Sequence, residues 1–238
     1  MKILAIDCSA VAASVAITED GKWKSSSYTN VGLTHSQTLL PMVQNTLDQA
    51  HYKLEEIDYF AINAGPGSFT GVRIVVAALK GLTEFSENNC FSISTLESLA
   101  YNYKGVKDCI VCAAMDARCN QVYTASFEII GEEVHRLTED EAILIPELEE
   151  CLQQLQKAEK PIVFVGDGAS LCYNHFLEKP ISVSLAPEQL RFQNAYSVAI
   201  CAQDKLLNGS QPISSSALLP VYLRAPQAER ELKKKQNR

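Results

Sequence analysis

Apolar residues alternate or cluster over residues 2–7, 11–18 and 23–28, separated by short polar turns, the second of which carries Gly21. Strand, turn, strand, turn, strand predicts an antiparallel meander at the start of the chain. The period then changes. Leu39, Leu40, Val43 and Leu47 recur at helical spacing and predict a helix over 35–50, in which Pro41 is placed to kink it. Thr34 and Gln37 have the spacing of a capping box ahead of that helix. Residues 58–64 predict another strand and 70–86 another helix. The apolar residues of the second helix, Val72, Ile74, Val75, Val76, Ala77, Ala78, Leu79 and Leu82, cover more than one stripe, so it should be buried on more than one side. A short strand at 90–93 follows, and Ser94 with Glu97 forms a second capping box for a helix to about 103.

The segment Asn102-Tyr103-Lys104-Gly105 reads as a boundary. Beyond it the patterns predict strands at 109–115, 121–129 and 132–137, a helix at 146–157, a strand at 161–165, a short helix after Gly168 and a helix near 194–208. Three strands, then helix, strand, helix: the order of the first half is approximately repeated in the second. The fold class is α/β, with residues 1–103 a first lobe and 104–238 a second. Whether the late segment Leu218–Arg224 returns to the first lobe is open at this stage. Two βββαβα lobes with mixed sheets resemble the actin-like, Hsp70-like ATPase superfamily.

Composition fits this picture. The 238 residues are 47% hydrophobic and 21% charged, ordinary for a globule with a real core. No apolar run reaches the roughly 18–20 residues of a membrane span, and the N-terminus turns acidic at Asp7, too soon for a signal peptide; a cytoplasmic location is expected. Net charge is −7, so the surface as a whole offers no nucleic-acid footprint. The exception is the tail over 230–238, which is either a solvated end or a contact for RNA or an acidic partner. Of the eight cysteines, Cys8, Cys90, Cys109, Cys112 and Cys201 lie in or beside apolar stretches, as buried thiols do. Cys109 and Cys112 form a CxxC, but no second pair or nearby His completes a zinc set, and strand alternation sends the two side chains to opposite faces.

Candidate chemistry concentrates in turns. In Gly65-Pro66-Gly67-Ser68-Phe69-Thr70-Gly71-Val72-Arg73, three glycines and a proline join a strand to a helix. Such a turn either holds an anion at the helix start or seats the helix tightly against the sheet. Asp7 ends the first strand with Ser9 beyond it, and Asp116 with Arg118 stands at the same place in the second half. An acid there serves either a water-held magnesium ion facing a phosphate or an Asx turn; Arg118 could equally pair with Asp116. Gly166 and Gly168 flank Asp167 in a strand-to-helix turn that either touches adenosine or makes a plain connection. His35, His51, His135 and His175 contain no pair three or four apart, and no nucleophile set emerges from the spacing, so neither metal nor catalytic residues are assigned.

Ile3–Ser9, Gly65–Arg73, Met115–Tyr123, Pro220–Arg224 and His35–Pro41 appear in an order that resembles the TsaB (YeaZ) family. That resemblance implies two actin-like lobes and a non-catalytic subunit for making threonylcarbamoyladenosine (t6A) at adenosine 37 of tRNAs reading ANN codons. It implies pairing with TsaD, the transferase, and with TsaE, an ATPase, while a TsaC-type enzyme supplies the adenylate. ATP and magnesium are then used by the complex, with no cofactor intrinsic to this chain, and tRNA is met through the complex. TsaD relatives bind metal through two His after the segment matching Ser94–Leu99; here Ala100-Tyr101-Asn102-Tyr103 follows instead. Peptidase M22-like labels for such sequences fail on the same ground.

The resemblance also places TsaD against the helices matching 35–50 and 70–86. The expected interface is Leu39, Leu40, Val43, Leu47, Val72, Val75, Val76 and Leu79, edged by Ser68, Phe69 and Arg73. An isolated chain should pair with itself through the same patch. The alternative is a self-sufficient ATP-dependent kinase of the actin-like superfamily, its cleft built from Asp7, Ser9, Asp116, Arg118, Gly166 and Gly168.

Overall fold

The computed structural model describes residues 1–32, 34–84, 89–155 and 160–224. The opening meander is β1 (Lys2–Asp7), β2 (Ala13–Glu19) and β3 (Lys22–Thr29). Helix α1 (His35–Ala50), β4 (Tyr59–Gly65), α2 (Phe69–Leu82), β5 (Cys90–Ser94) and α3 (Thr95–Ala100) follow. The order then repeats with β6 (Cys109–Asp116), β7 (Gln121–Ile130), β8 (Glu133–Arg136), β9 (Glu141–Leu144), α4 (Glu147–Leu155), β10 (Ile162–Val165), α5 (Ala169–Phe176), β11 (Val183–Leu185), α6 (Glu188–Arg191) and α7 (Ala195–Leu207).

The sheets have matching orders, β3-β2-β1-β4-β5 and β8-β7-β6-β10-β11, with β9 also pairing with β7. In each, the meander strands are antiparallel and the later strands parallel. This is the actin-like arrangement, formed twice. The short β9, β11 and α6 were not predicted; unlike β10, an unbroken apolar run of four, they mix polar and apolar residues over three or four positions.

Alternation along β1 sorts the first lobe. Leu4 and Ile6 face a core with Val15, Ile17 and Ile62, covered by Leu39, Val43 and Leu47 of α1 and by Val75, Val76 and Leu79 of α2. Ile3 and Ala5 face the opposite side, where Val198, Ala199 and Ala202 of α7 cover them. The second sheet has the same division. Cys109, Val111 and Ala113 meet Leu96, Leu99 and Ala100 of α3, while Ile110, Cys112 and Ala114 meet α4 and α5. The two cysteines of the CxxC therefore lie in separate cores. All five cysteines read as buried are so, as is Cys172.

The boundary at 103/104 needs correction in both directions. α3 packs beneath the second sheet, although its sequence belongs to the first repeat. α7 packs beneath the first sheet, and the chain after it stays there: Ile213 bridges to Cys90, Leu218 is fully buried in the α1–α2 core, and the Val221 amide donates to the Ala64 carbonyl at 2.7 Å. Each segment follows the uncovered sheet face that buries its apolar side chains.

The two expected capping boxes form only in part. The Ser94 hydroxyl accepts from the Glu97 amide at 3.3 Å, but the Glu97 carboxylate turns away to Lys205 at 2.8 Å and Arg136 at 3.7 Å. Thr34 caps α1 without its side chain; its carbonyl accepts the Gln37 amide instead. The predicted end of α2 beyond Glu84 and the basic tail over 230–238 lie outside the described residues.

Candidate functional site

The ends of β1 and β6 converge on a cleft of about 540 Å³ between the lobes. Ser9, Gly67, Ser68, Phe69 and Thr70 line it from the first lobe, and Asp116, Ala117, Arg118 and Asp167 from the second. His35, Tyr222 and Arg224 complete its rim. Of the residues proposed for a nucleotide cleft, Ser9, Asp116 and Arg118 line this space. Asp7, Gly166 and Gly168 do not.

The glycine-rich turns stand against the chain's own backbone. A Cβ at Gly71 would sit closer than 3.0 Å to the Cys8 carbonyl oxygen, and one at Gly67 would do the same to the Ser9 carbonyl. The Ser68 amide donates to that Ser9 carbonyl at 2.6 Å, and the Ser68 hydroxyl caps α2 by accepting from the Gly71 amide at 3.2 Å. In the second lobe a Cβ at Gly166 would collide with the Ala114 carbonyl, and one at Gly168 would stand 2.8 Å from the Met115 carbonyl carbon. Both turns seat a helix on a strand end. Close backbone approach is here the fold's own requirement, because each turn must let a helix sit on a strand end.

The acids are committed in a similar way. Asp7 is buried, and its Oδ1 accepts from the Ser9 amide at 2.7 Å, an Asx turn. Burial pushes its carboxyl above the usual carboxylate range, against the Ser9 hydrogen bonds that favour the anion. Asp116 accepts from the Arg118 amide at 2.8 Å and pairs with its guanidinium at 3.1 Å. Arg118, Cys119 and Asn120 are all left-handed, with φ of 64°, 57° and 57°. Only asparagine takes that conformation readily, so the turn carries roughly 1–2 kcal/mol of strain at each of the other two. The Asp116 amide in turn donates to Asp167 at 3.2 Å, whose carboxyl is also raised, first by burial. Among the described residues no group of three or more His, Cys, Asp and Glu could hold a metal ion.

Asp167, Tyr222 and Arg224 were not proposed as site residues. Asp167 had a signal, an acid between two glycines at a strand end. Tyr222 and Arg224 lie in the Pro220–Arg224 segment that carries the family resemblance, but nothing in its spacing announces that it reaches the cleft. His35, on the rim, uses its Nε2 to donate to the Ala10 carbonyl at 2.9 Å, holding α1 to the first turn.

The chain aligns with the Escherichia coli K12 tRNA threonylcarbamoyladenosine biosynthesis protein TsaB at 38% identity over 157 residues, 65% of this chain and 68% of that one. The Haemophilus influenzae protein of the same name matches at 30% identity over 94% of both chains. This chain belongs to the TsaB (YeaZ) family. A crystal structure from Pseudomonas aeruginosa, described as similar to peptidase YeaZ, superposes with a TM-score of 0.80 at 29% identity, covering 94% of this chain and 99% of the other. The family described as TsaD, tRNA N6-adenosine threonylcarbamoyltransferase, also matches residues 30–232.

The expected interface on α1 and α2 is substantially corrected. Leu39, Val43, Leu47, Val72, Val75, Val76 and Leu79 are all at most 6% exposed. They face the lobe's own core and cannot be the side chains a partner touches. Of the eight apolar residues only Leu40 is exposed, at 50%. The second apolar stripe of α2 has a local explanation. The returning C-terminal chain packs along it, with Leu218 in the core, the Tyr222 ring tilted against Phe69 at 5.0 Å, and the Ser216 carbonyl accepting from Lys80 at 3.0 Å. Arg73 is exposed, but it lies over the Phe69 ring at 3.8 Å and donates from Nε to the Tyr222 hydroxyl at 2.6 Å.

Proposed function

We propose that this chain is a non-catalytic subunit in the biosynthesis of threonylcarbamoyladenosine on tRNA. Family membership supports the pathway: relatives named for it align along nearly the full length. The observation that carries the supporting role is the commitment of the cleft's turns. Gly67 and Gly71 serve to seat α2 against the Ser9 and Cys8 carbonyls, and Asp116, the acid lining the cleft at the end of β6, is already paired with Arg118. That arrangement disfavours a self-sufficient kinase.

On this reading TsaD carries out the transfer and this chain pairs with it. TsaE joins the pair, a TsaC-type enzyme supplies the adenylate, and ATP and magnesium are consumed by the complex. The contact falls on the outward side of α1 and α2, where Leu40 and Ala77 are exposed, and an isolated chain forms a homodimer through the same side. The tRNA is met through the complex. No helix among the described residues is long and apolar enough to cross a membrane.

Reconstitution tests this. Unmodified tRNA is incubated with TsaC-type enzyme, TsaD, TsaE, threonine, ATP and magnesium, with and without this chain, and the nucleosides are measured by mass spectrometry. Modified adenosine should form only when the chain is present, and the chain with the adenylate source alone should form none. Modification at an equal rate without the chain, or by the chain without TsaD, refutes the proposal.

A further inference from the structure

The last described segment touches both lobes. On the first it is anchored repeatedly. Leu218 is buried in the core, the Val221 amide bonds to Ala64 at the end of β4, and Tyr222 is held by Phe69 and Arg73 of α2. Gly65 is built around it: φ is +122°, and a Cβ there would collide with the Val221 carbonyl. On the second lobe, among the described residues, its hydrogen bond is that of Arg224. Arg224 Nη1 donates to the Ala117 carbonyl at 2.6 Å, in the left-handed turn after β6. Tyr222 and Arg224 both stand at the rim of the cleft.

Elsewhere the lobes are joined through α3 and α7. Glu97 pairs with Lys205, Lys104 pairs with Asp204, and the Ser197 hydroxyl donates to Asn102 at 2.5 Å. Those contacts act as a base about which the lobes could swing. At the cleft, Tyr222 rests on α2 of the first lobe while Arg224 reaches the Ala117 carbonyl of the second.

We propose that Leu218–Arg224 is a strap that holds the interlobe cleft closed, with Arg224 as its fastening on the second lobe. The first-lobe anchors are buried or multiple, whereas the Arg224 bond is single and partly solvent-facing, so opening proceeds by release of that bond. The proposal is independent of the tRNA reading, because it concerns only how the two lobes of this chain are held.

Spin labels test it. Cys119 is exposed on the second-lobe turn, and Thr70 is exposed on the first-lobe wall. Thr70→Cys in a Cys151→Ser background gives a pair spanning the mouth, read by double electron–electron resonance. The wild-type strap should give one narrow distance distribution. Arg224→Ala should lengthen and broaden it, raising the open fraction about tenfold, the change expected for loss of one charge-assisted bond. Arg224→Lys keeps a cation able to reach the Ala117 carbonyl and should retain the narrow distribution. If Arg224→Ala does not fold, Arg224→Gln carries the same measurement. A distribution in the alanine or glutamine variant that superposes on wild type overturns the proposal. So does a lysine variant as open as the alanine one.

Discussion

Gly71 and Gly81 lie in the same helix and should respond to the same substitution with opposite signs. Glycine inside a helix is less favourable than alanine by about 0.8–1.0 kcal/mol, because alanine loses less backbone freedom on folding. At Gly81 an added Cβ meets nothing within 4 Å, so Gly81→Ala should recover most of that difference. At Gly71 the added Cβ falls closer than 3.0 Å to the Cys8 carbonyl oxygen, a backbone atom at the end of β1 that cannot swing aside. Relief requires α2 to lift off the strand end. That disturbs Val72, Val75 and Leu79, each at most 1% exposed in the core. Overpacking of this kind costs about 1–3 kcal/mol, and a fixed carbonyl puts Gly71 at the upper end. Net of the helix gain, Gly71→Ala should destabilise by about 2 kcal/mol. A chain of this size shifts by about 2–4 °C per kcal/mol, so the melting temperature should fall by roughly 4–8 °C, against a rise of about 2–4 °C for Gly81→Ala. Differential scanning calorimetry of the two variants reads both. A Gly71→Ala protein as stable as wild type would mean that the glycine run is not a packing device, and the anion reading of that turn would return.

Two further substitutions separate core from surface on the same helices. Val75→Asp places an unpaired charge at a fully buried position and should cost more than about 4 kcal/mol, whereas Leu40→Asp at a half-exposed position should stay within about 0.5 kcal/mol yet weaken binding to TsaD at least tenfold. Size-exclusion and calorimetric titration decide it, and an unchanged affinity for Leu40→Asp moves the contact elsewhere. Asp7 makes a prediction about pH. Its folded pKa is raised by burial above the unfolded value of about 3.9, so its contribution to stability is fully present below about pH 3.9 and is lost as pH rises through the folded value. Asp7→Asn keeps the acceptor for the Ser9 amide and cannot ionise. Its gain over wild type in urea unfolding should therefore be near zero at pH 4 and increase towards neutrality; a gain independent of pH contradicts the assignment.

Local periodicity carried most of the fold. The strands and helices longer than about six residues were legible because each has a face to bury, and the duplicated order emerged from them directly. What failed was anything decided by distant chain. The apolar girth of α2 was correctly read as two-sided burial, but the covering surface was taken to be a partner, since no local pattern says that Leu218 and Tyr222 come back to it from about 140 residues away. The cleft was half legible for the same reason. Asp116 and Ser9 sit at strand ends that a repeated topology brings together, while Arg224 reaches the cleft only because the returning segment passes that way. The acids illustrate a different limit. Sequence placed Asp7 and Asp116 at equivalent turns, and both accept from the amide two residues on, yet Asp7 is buried while Asp116 is more exposed and also pairs with Arg118, a difference set by packing.

The exchange of α3 and α7 between the sheets bears on how far the two lobes can act separately. Without α7, the first sheet would present Ile3, Ala5, Ala16, Ala61, Phe91 and Ile93 to water on one whole face. Without α3, the second would present Val111, Ala113, Ala125 and Phe127. Burial of each such large side chain stabilises by about 1.5–3 kcal/mol, so either face alone represents a large part of the roughly 5–15 kcal/mol that keeps a domain folded. Neither repeat closes its own core, and the lobes must fold as one unit although the sequence reads as two successive repeats. The same exchange restricts the motion left to the assembled chain. Swinging at the cleft must preserve the α3 and α7 seats, which leaves rotation about their contact, and the segment bonded across the mouth is placed to limit that rotation. A partner that docks on the outer side of α1 and α2 would therefore meet a surface held in one shape.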